Sequence, residues 1–81
     1  MQYTVYVLKS DRTGRYYVGC TKDLGLRLQQ HNKGMTKSTK GFRPWQVIYV
    51  EKYNSLGEAR QRETQIKSWK SRDHMERLLA L

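Results

Sequence analysis

The run Tyr3 to Leu8 places β-forming side chains on both faces of any extended strand it adopts, and this constrains the fold more than any other feature. A strand that is apolar on both sides belongs inside a sheet, covered above and below. A chain of 81 residues has material for one thin core and no second domain, so a single domain over 1–81 is expected. The strand reads as Gln2 to Lys9. The sequence S-D-R-T-G (Ser10 to Gly14) is turn chemistry, and Arg15 to Cys20 reads as a second strand pairing antiparallel with the first.

Beyond the hairpin the periodicity turns helical. Asp23 is an N-cap for a helix from Leu24 to about Lys33, stopped by Gly34 and weakened at Gly25. Met35 to Pro44 reads as a polar, basic loop, and Trp45 to Tyr53 as a third strand. Ser55 and Glu58 form a capping box opening a helix to about Lys70. Ser71 would cap a last short helix that docks Met75, Leu78 and Leu79. The expected class is α+β, a three-stranded antiparallel sheet flanked by helices in the order β-β-α-β-α-α.

Charge then limits the partners. Sixteen Lys and Arg against seven Asp and Glu leave a formal charge of +9. Six Tyr, two Trp and one Phe exclude a disordered polar tract. A folded domain with that excess attracts polyanions, because each cation that meets a phosphate releases condensed counterions. No apolar run approaches the ~20 residues of a membrane span, and no signal core opens the chain, so a membrane is not an expected partner. A lone Cys20 forms no internal disulfide and fits a reducing, cytoplasmic setting.

The helices carry polar groups where apolar ones belong. Leu24 and Leu28 set the buried stripe of the first helix, and Arg27 and His31 lie on or beside it. On the second, Leu56, Ala59, Ile66 and Trp69 are the core candidates, interrupted by Glu63. An inward carboxylate needs a partner or a metal. An Arg27–Glu63 ion pair between helices would satisfy that need without any chemistry. His31 near a helix C-terminus could be a dipole partner. Tyr3, Tyr6, Tyr16 and Tyr17 could all be packing, and Trp45 and Trp69 read as core.

The order of these residues carries more than any one of them. Val5-Tyr6, ten further residues, then Tyr17-Val18-Gly19 resembles the paired motif of the GIY-YIG nuclease superfamily. The run Y-Y-V-G-C-T-K-D-L-G-L-R-L-Q-Q-H-N-K-G (Tyr16 to Gly34), then R-P-W-Q-V-I-Y (Arg43 to Tyr49) and E-A-R-Q-R-E-T-Q-I-K (Glu58 to Lys67), resembles its short, stand-alone bacterial members. These are related to the nuclease half of a nucleotide-excision-repair endonuclease. The likeness spans essentially the whole chain.

The resemblance implies a three-stranded sheet with flanking helices and a metal-dependent endonuclease, acting on nucleic acid, expected to be DNA, with low sequence specificity. It implies that Tyr6 and Tyr17 floor the site and that Gly19 lets the substrate backbone approach. It implies that Arg27 steadies the scissile phosphate with His31 nearby, and that Glu63 holds one Mg²⁺ or Mn²⁺. A hard ion tolerates a single carboxylate, filling its other positions with water and substrate oxygens. A free phenol titrates at ~10, so a tyrosine base needs neighbouring positive charge. Tyr17 is the expected base with Tyr6 supporting, and His31 is the alternative. Lys22, Lys33, Lys37, Lys40, Arg43, Lys67, Lys70 and Arg72 are expected phosphate contacts. A homodimer is compatible with so small a nuclease.

Two departures favour a different reading, a non-catalytic nucleic-acid-binding or partner-recruiting module. Many relatives have Lys where this chain has Cys20, for which Lys22 could substitute. Several catalytic relatives have an Asn after the glutamate helix, and none of the residues after Glu63 is Asn.

Overall fold

The computed structural model describes residues 2–69 and 72–80. Strands β1 (Tyr3–Ser10), β2 (Tyr16–Thr21) and β3 (Trp45–Tyr53) form one antiparallel sheet in the order β2-β1-β3. Helix α1 (Leu24–Asn32) and a four-residue helix α2 (Lys37–Lys40) separate β2 from β3, and α3 (Leu56–Lys67) and α4 (Arg72–Leu79) follow. The doubly apolar strand is central as expected: Val5, Tyr6, Val7 and Leu8 are all at most 1% exposed.

Alternation along β1 divides the core in two. Val5 and Val7 point to one face, where they pack with Val18, Ala59, Ile66, Met75 and Leu78 from β2, α3 and α4. Tyr6 and Leu8 point to the other, against Trp45 and the partly buried Tyr17, Leu24, Leu28, Phe42 and Val47. The sheet is therefore clasped between α1 on one side and α3 with α4 on the other. A register shift between Val7 and Leu8 in the β1–β3 pairing marks a bulge that lets Ile48 join the α3 side.

The caps follow the sequence. Leu26 N–H donates to Asp23 Oδ1 at 3.1 Å, Glu58 N–H donates to Ser55 Oγ at 3.2 Å, and Gly34 takes φ +80° just after α1. Three expectations need correction. The loop from Met35 to Pro44 contains α2, because Thr39 and Lys40 N–H close on the Thr36 carbonyl and Thr39 is buried against His31. Helix α3 ends at Lys67 rather than Lys70, since the Ser68 hydroxyl folds back to donate to the Gln65 carbonyl at 2.6 Å. Leu56 is not core but 41% exposed, standing in the first turn of α3 at the rim of a cavity. Ser71, the expected cap of α4, lies outside the described residues. Among the described residues no helix is long and apolar enough to cross a membrane.

One polar cluster fixes α3 to the sheet. Glu51 of β3 accepts from Arg62 Nε at 2.9 Å and Nη2 at 3.1 Å, from the Tyr53 hydroxyl at 2.6 Å and from the Tyr49 hydroxyl. Burial raises the Glu51 carboxyl, but Arg62 and the two phenols outweigh it and hold it at about 2. The folded-state value lies below the ordinary 4.5, so this stability is present above pH 4.5 and is lost as pH falls towards 2. Across that window the domain is expected to lose about 3 kcal/mol from this group alone. Denaturant melts of Glu51→Gln should lose most of that slope; an unchanged acid limb would show the cluster to be unimportant.

Candidate active site

The β1–β2 register sets Tyr6 opposite Gly19 and Leu8 opposite Tyr17, so these four residues share the α1 face. A Cβ on Gly19 would lie 2.3 Å from the Tyr6 hydroxyl oxygen and 2.5 Å from Cζ. The absent side chain is what allows the Tyr6 ring to lie across β2 and reach the sheet edge. Gly14 and Gly34 have positive φ and Gly19 does not, so its requirement is one of space rather than backbone conformation.

At that edge the side chains of α1 and α3 converge. Tyr6, Tyr17, Gly19 and Arg27 line a cavity of about 270 Å³ together with Cys20, Leu56, Arg60 and Glu63. The Tyr6 hydroxyl and burial pull the Arg27 guanidinium in opposite directions; Tyr6 prevails, aided by Tyr17, and Arg27 is held charged above its ordinary value. Arg27 Nη1 also donates to Gln30 Oε1 at 3.0 Å, which limits its rotamers.

Behind the cavity wall lies a buried hydrogen-bond chain. The Thr39 hydroxyl donates to the Thr36 carbonyl at 3.3 Å, so its oxygen is free to accept from His31 Nδ1 at 2.9 Å. That leaves Nε2 bare, and the Tyr6 hydroxyl donates to it at 3.1 Å. His31 is fully buried. Burial, and then the Arg27 charge, lower its pKa and keep it neutral. Burial likewise raises Tyr6, against the opposing pull of Arg27. The pair thus rests as neutral phenol and neutral imidazole. The Tyr17 ring stands edge-on to His31, with centroids 4.9 Å apart.

Glu63 does not pair with Arg27. Its Oε2 takes the ammonium of Lys67, one turn on, at 2.7 Å. An i,i+4 pair of this kind, its lysine half-exposed, contributes only about 0.3–0.5 kcal/mol and yields readily to a competing cation. Cys20 lines the same cavity, and burial followed by the Glu63 charge raises its thiol above the ordinary value. It therefore stays a neutral wall.

A family model for the GIY-YIG catalytic domain matches residues 2–77. The chain belongs to the GIY-YIG family. Members of that family are in general nucleases. UPF0213 proteins from Staphylococcus aureus strains Mu50 and N315 are each 39% identical to it over 66 residues, 80% of this chain and 79% of theirs. The solution structure of a UPF0213 protein from Bacillus halodurans superimposes with a TM-score of 0.64 at 31% identity. It covers 99% of this chain and 84% of that one.

Of the residues singled out in the sequence, Tyr6, Tyr17, Gly19, Arg27 and Glu63 meet in one cavity, and His31 stands behind it. Lys67 meets Glu63. Lys22 is exposed with its ammonium 5.5 Å over the Tyr3 ring, and lines no part of the cavity. Lys33, Lys37 and Lys40 are exposed around α2, where Arg43 Nε donates to the Lys40 carbonyl at 2.9 Å. Lys70 lies outside the described residues, as does the side chain of Arg72. Sequence reasoning missed Arg60 and Thr39. Arg60 was legible, three residues before Glu63 on the same helix stripe. Thr39 was not, because only the folding back of α2 brings it to His31.

Proposed function

We propose that this chain is a metal-dependent endonuclease that hydrolyses phosphodiester bonds in DNA with low sequence specificity. One observation carries the reading: an arginine from α1, a glutamate from α3 and two phenols from β1 and β2 line the same cavity. The donor chemistry fits a hard ion. Among the described residues no three His, Cys, Asp or Glu cluster, which suits an ion held by one carboxylate and otherwise by water and substrate oxygens. Glu63 would hold Mg²⁺ or Mn²⁺, which when bound supplies positive charge to the non-bridging phosphate oxygens.

The chain's own residues have separable roles in this reading. Arg27, fixed by Gln30 and charged, faces the phosphate and offsets charge that develops in the transition state. Tyr6 is held by the His31–Thr39 chain with its hydrogen pointing inward, leaving its oxygen lone pairs towards Arg27 and the cavity. His31 is a poor base because it is buried beside a guanidinium, so Tyr6 has no ready proton sink. Tyr17, after passing its own proton to solvent with the Arg27 charge beside it, accepts the proton of the attacking water as the phenolate and returns to the neutral phenol. Lys22, Lys33, Lys37, Lys40 and Arg43 meet phosphates further along the strand, and phosphate contacts position a substrate without reading its sequence.

Supercoiled plasmid incubated with Mg²⁺ or Mn²⁺ is expected to be nicked, and EDTA to prevent it. Tyr17→Phe should cut slower by about a hundredfold or more at unchanged DNA affinity, with Tyr6→Phe less affected. A Tyr17→Phe protein that cleaves like the native one would remove Tyr17 as the base. Lys67 on the Glu63 carboxylate favours a second reading, a nucleic-acid-binding module without catalysis. Salt-dependent DNA binding with no cleavage under either metal would establish that one instead.

A further inference from the structure

A second and larger cavity, about 520 Å³, opens along the outer edge of β2. Its lining runs from Gly14 through Val18 on the hairpin, with Ile66 and Lys67 of α3, Trp69 and Met75 of α4. Tyr17 lines both this cavity and the candidate active site. Lys67 lines the larger one while its ammonium rests on Glu63 in the smaller, 5.9 Å from the Tyr17 ring centroid. The two cavities therefore share a wall.

We infer that this groove receives an unpaired nucleobase of the DNA strand whose phosphate lies at Arg27 and Glu63. The inference rests on the nuclease reading above and adds a base subsite to it. Two aromatic residues of the α3 side, Tyr16 and Trp69, line the groove with the soft side chain of Met75, and Tyr17 forms the wall shared with the smaller cavity. Stacking on such rings is the common way to bind bases without reading their sequence. Among the described residues Arg15 and Lys67 are the charged lining residues and both are cationic, so the groove suits a ligand that brings its own phosphates rather than a basic or neutral peptide. The volume falls within the range of small-ligand sites, about 300–1,000 Å³.

Trp69 is the best platform. It is partly buried against the core cluster, with the Arg62 guanidinium 5.4 Å from its ring centroid and His74 beside it, and this packing fixes its plane. A base inside a duplex is already stacked and cannot enter. The preferred strand is therefore one with an unpaired nucleotide next to the scissile phosphate.

The test uses the full chain labelled with 5-fluorotryptophan, in EDTA so that nothing is cut. It is titrated with a short single-stranded oligothymidylate and with the same backbone made abasic. Trp45, buried in the α1-side core, and Trp69 give two ¹⁹F signals, assigned with Trp69→Phe. The intact strand is expected to bind roughly tenfold tighter than the abasic one, the effect of one stacked base. It should shift the Trp69 signal and leave Trp45 in place. Trp69→Leu should bring the two affinities together without changing the salt dependence. Equal affinities, or a Trp69 signal unmoved at saturation, would overturn the base subsite while leaving the nuclease reading intact. Failure of both strands to bind at low salt would also overturn the base subsite, and the plasmid nicking assay then decides the nuclease reading separately.

Discussion

Glu63→Gln is expected to cut plasmid nicking by about a hundredfold to a thousandfold while leaving the fold untouched. The substitution keeps the shape of the side chain and removes one negative charge. If the carboxylate holds the ion that offsets transition-state charge, its loss should cost about what losing a direct electrostatic contact costs in other hydrolases. Stability should hardly move. Among the described residues Glu63 makes one ion pair, to a half-exposed lysine in the next turn, and such pairs contribute a few tenths of a kcal/mol.

DNA binding without metal should even strengthen. Lys67 released from Glu63 can meet a phosphate, so the slope of log affinity against log salt should steepen by roughly one. This opposite movement separates a loss of chemistry from a loss of binding. Cleavage that persists in Glu63→Gln at the native rate would exclude the site assignment outright.

The central strand was legible because its apolar character on both faces has one solution in a chain this short. The caps at Asp23 and Ser55 were legible because their hydrogen bonds are local. The inward positions of Arg27 and Glu63 followed from helical spacing alone, yet the same spacing suggested that the two would pair. They do not, since Lys67 at i+4 reaches Glu63 within the helix while Arg27 is held by Gln30 and the phenols. Which partner wins is a matter of distance in three dimensions, and no spacing rule supplies it. Leu56 misled for a related reason: helical period marks a stripe, but the first turn of α3 overhangs a cavity instead of the sheet. His31 required the most tertiary information. Its surroundings combine a strand phenol, a threonine from a helix read as loop, and a nearby guanidinium, and only together do they fix its tautomer and charge.

Gly19→Ala should be the most damaging single-methyl change in the domain. The new Cβ would fall 2.3 Å from the Tyr6 hydroxyl oxygen and 2.5 Å from Cζ, and Tyr6 is 1% exposed, so its ring has no free space to enter. Overpacking of this kind costs about 1–3 kcal/mol. Displacing the ring also breaks the Tyr6–His31 hydrogen bond and leaves Nε2 buried without a partner, a further cost of about 1–3 kcal/mol. Against a total stability of roughly 5–10 kcal/mol for a small domain, melting should fall by about ten degrees or more. Because Gly19 does not need a left-handed backbone, the penalty belongs to the clash and to nothing else. A double-mutant cycle can isolate it: in a Tyr6→Leu background, where the ring is gone, Gly19→Ala should cost less than about a third of its native value. An equal cost in both backgrounds would mean that Tyr6 does not lie over Gly19, and the cavity built on that placement would have to be redrawn.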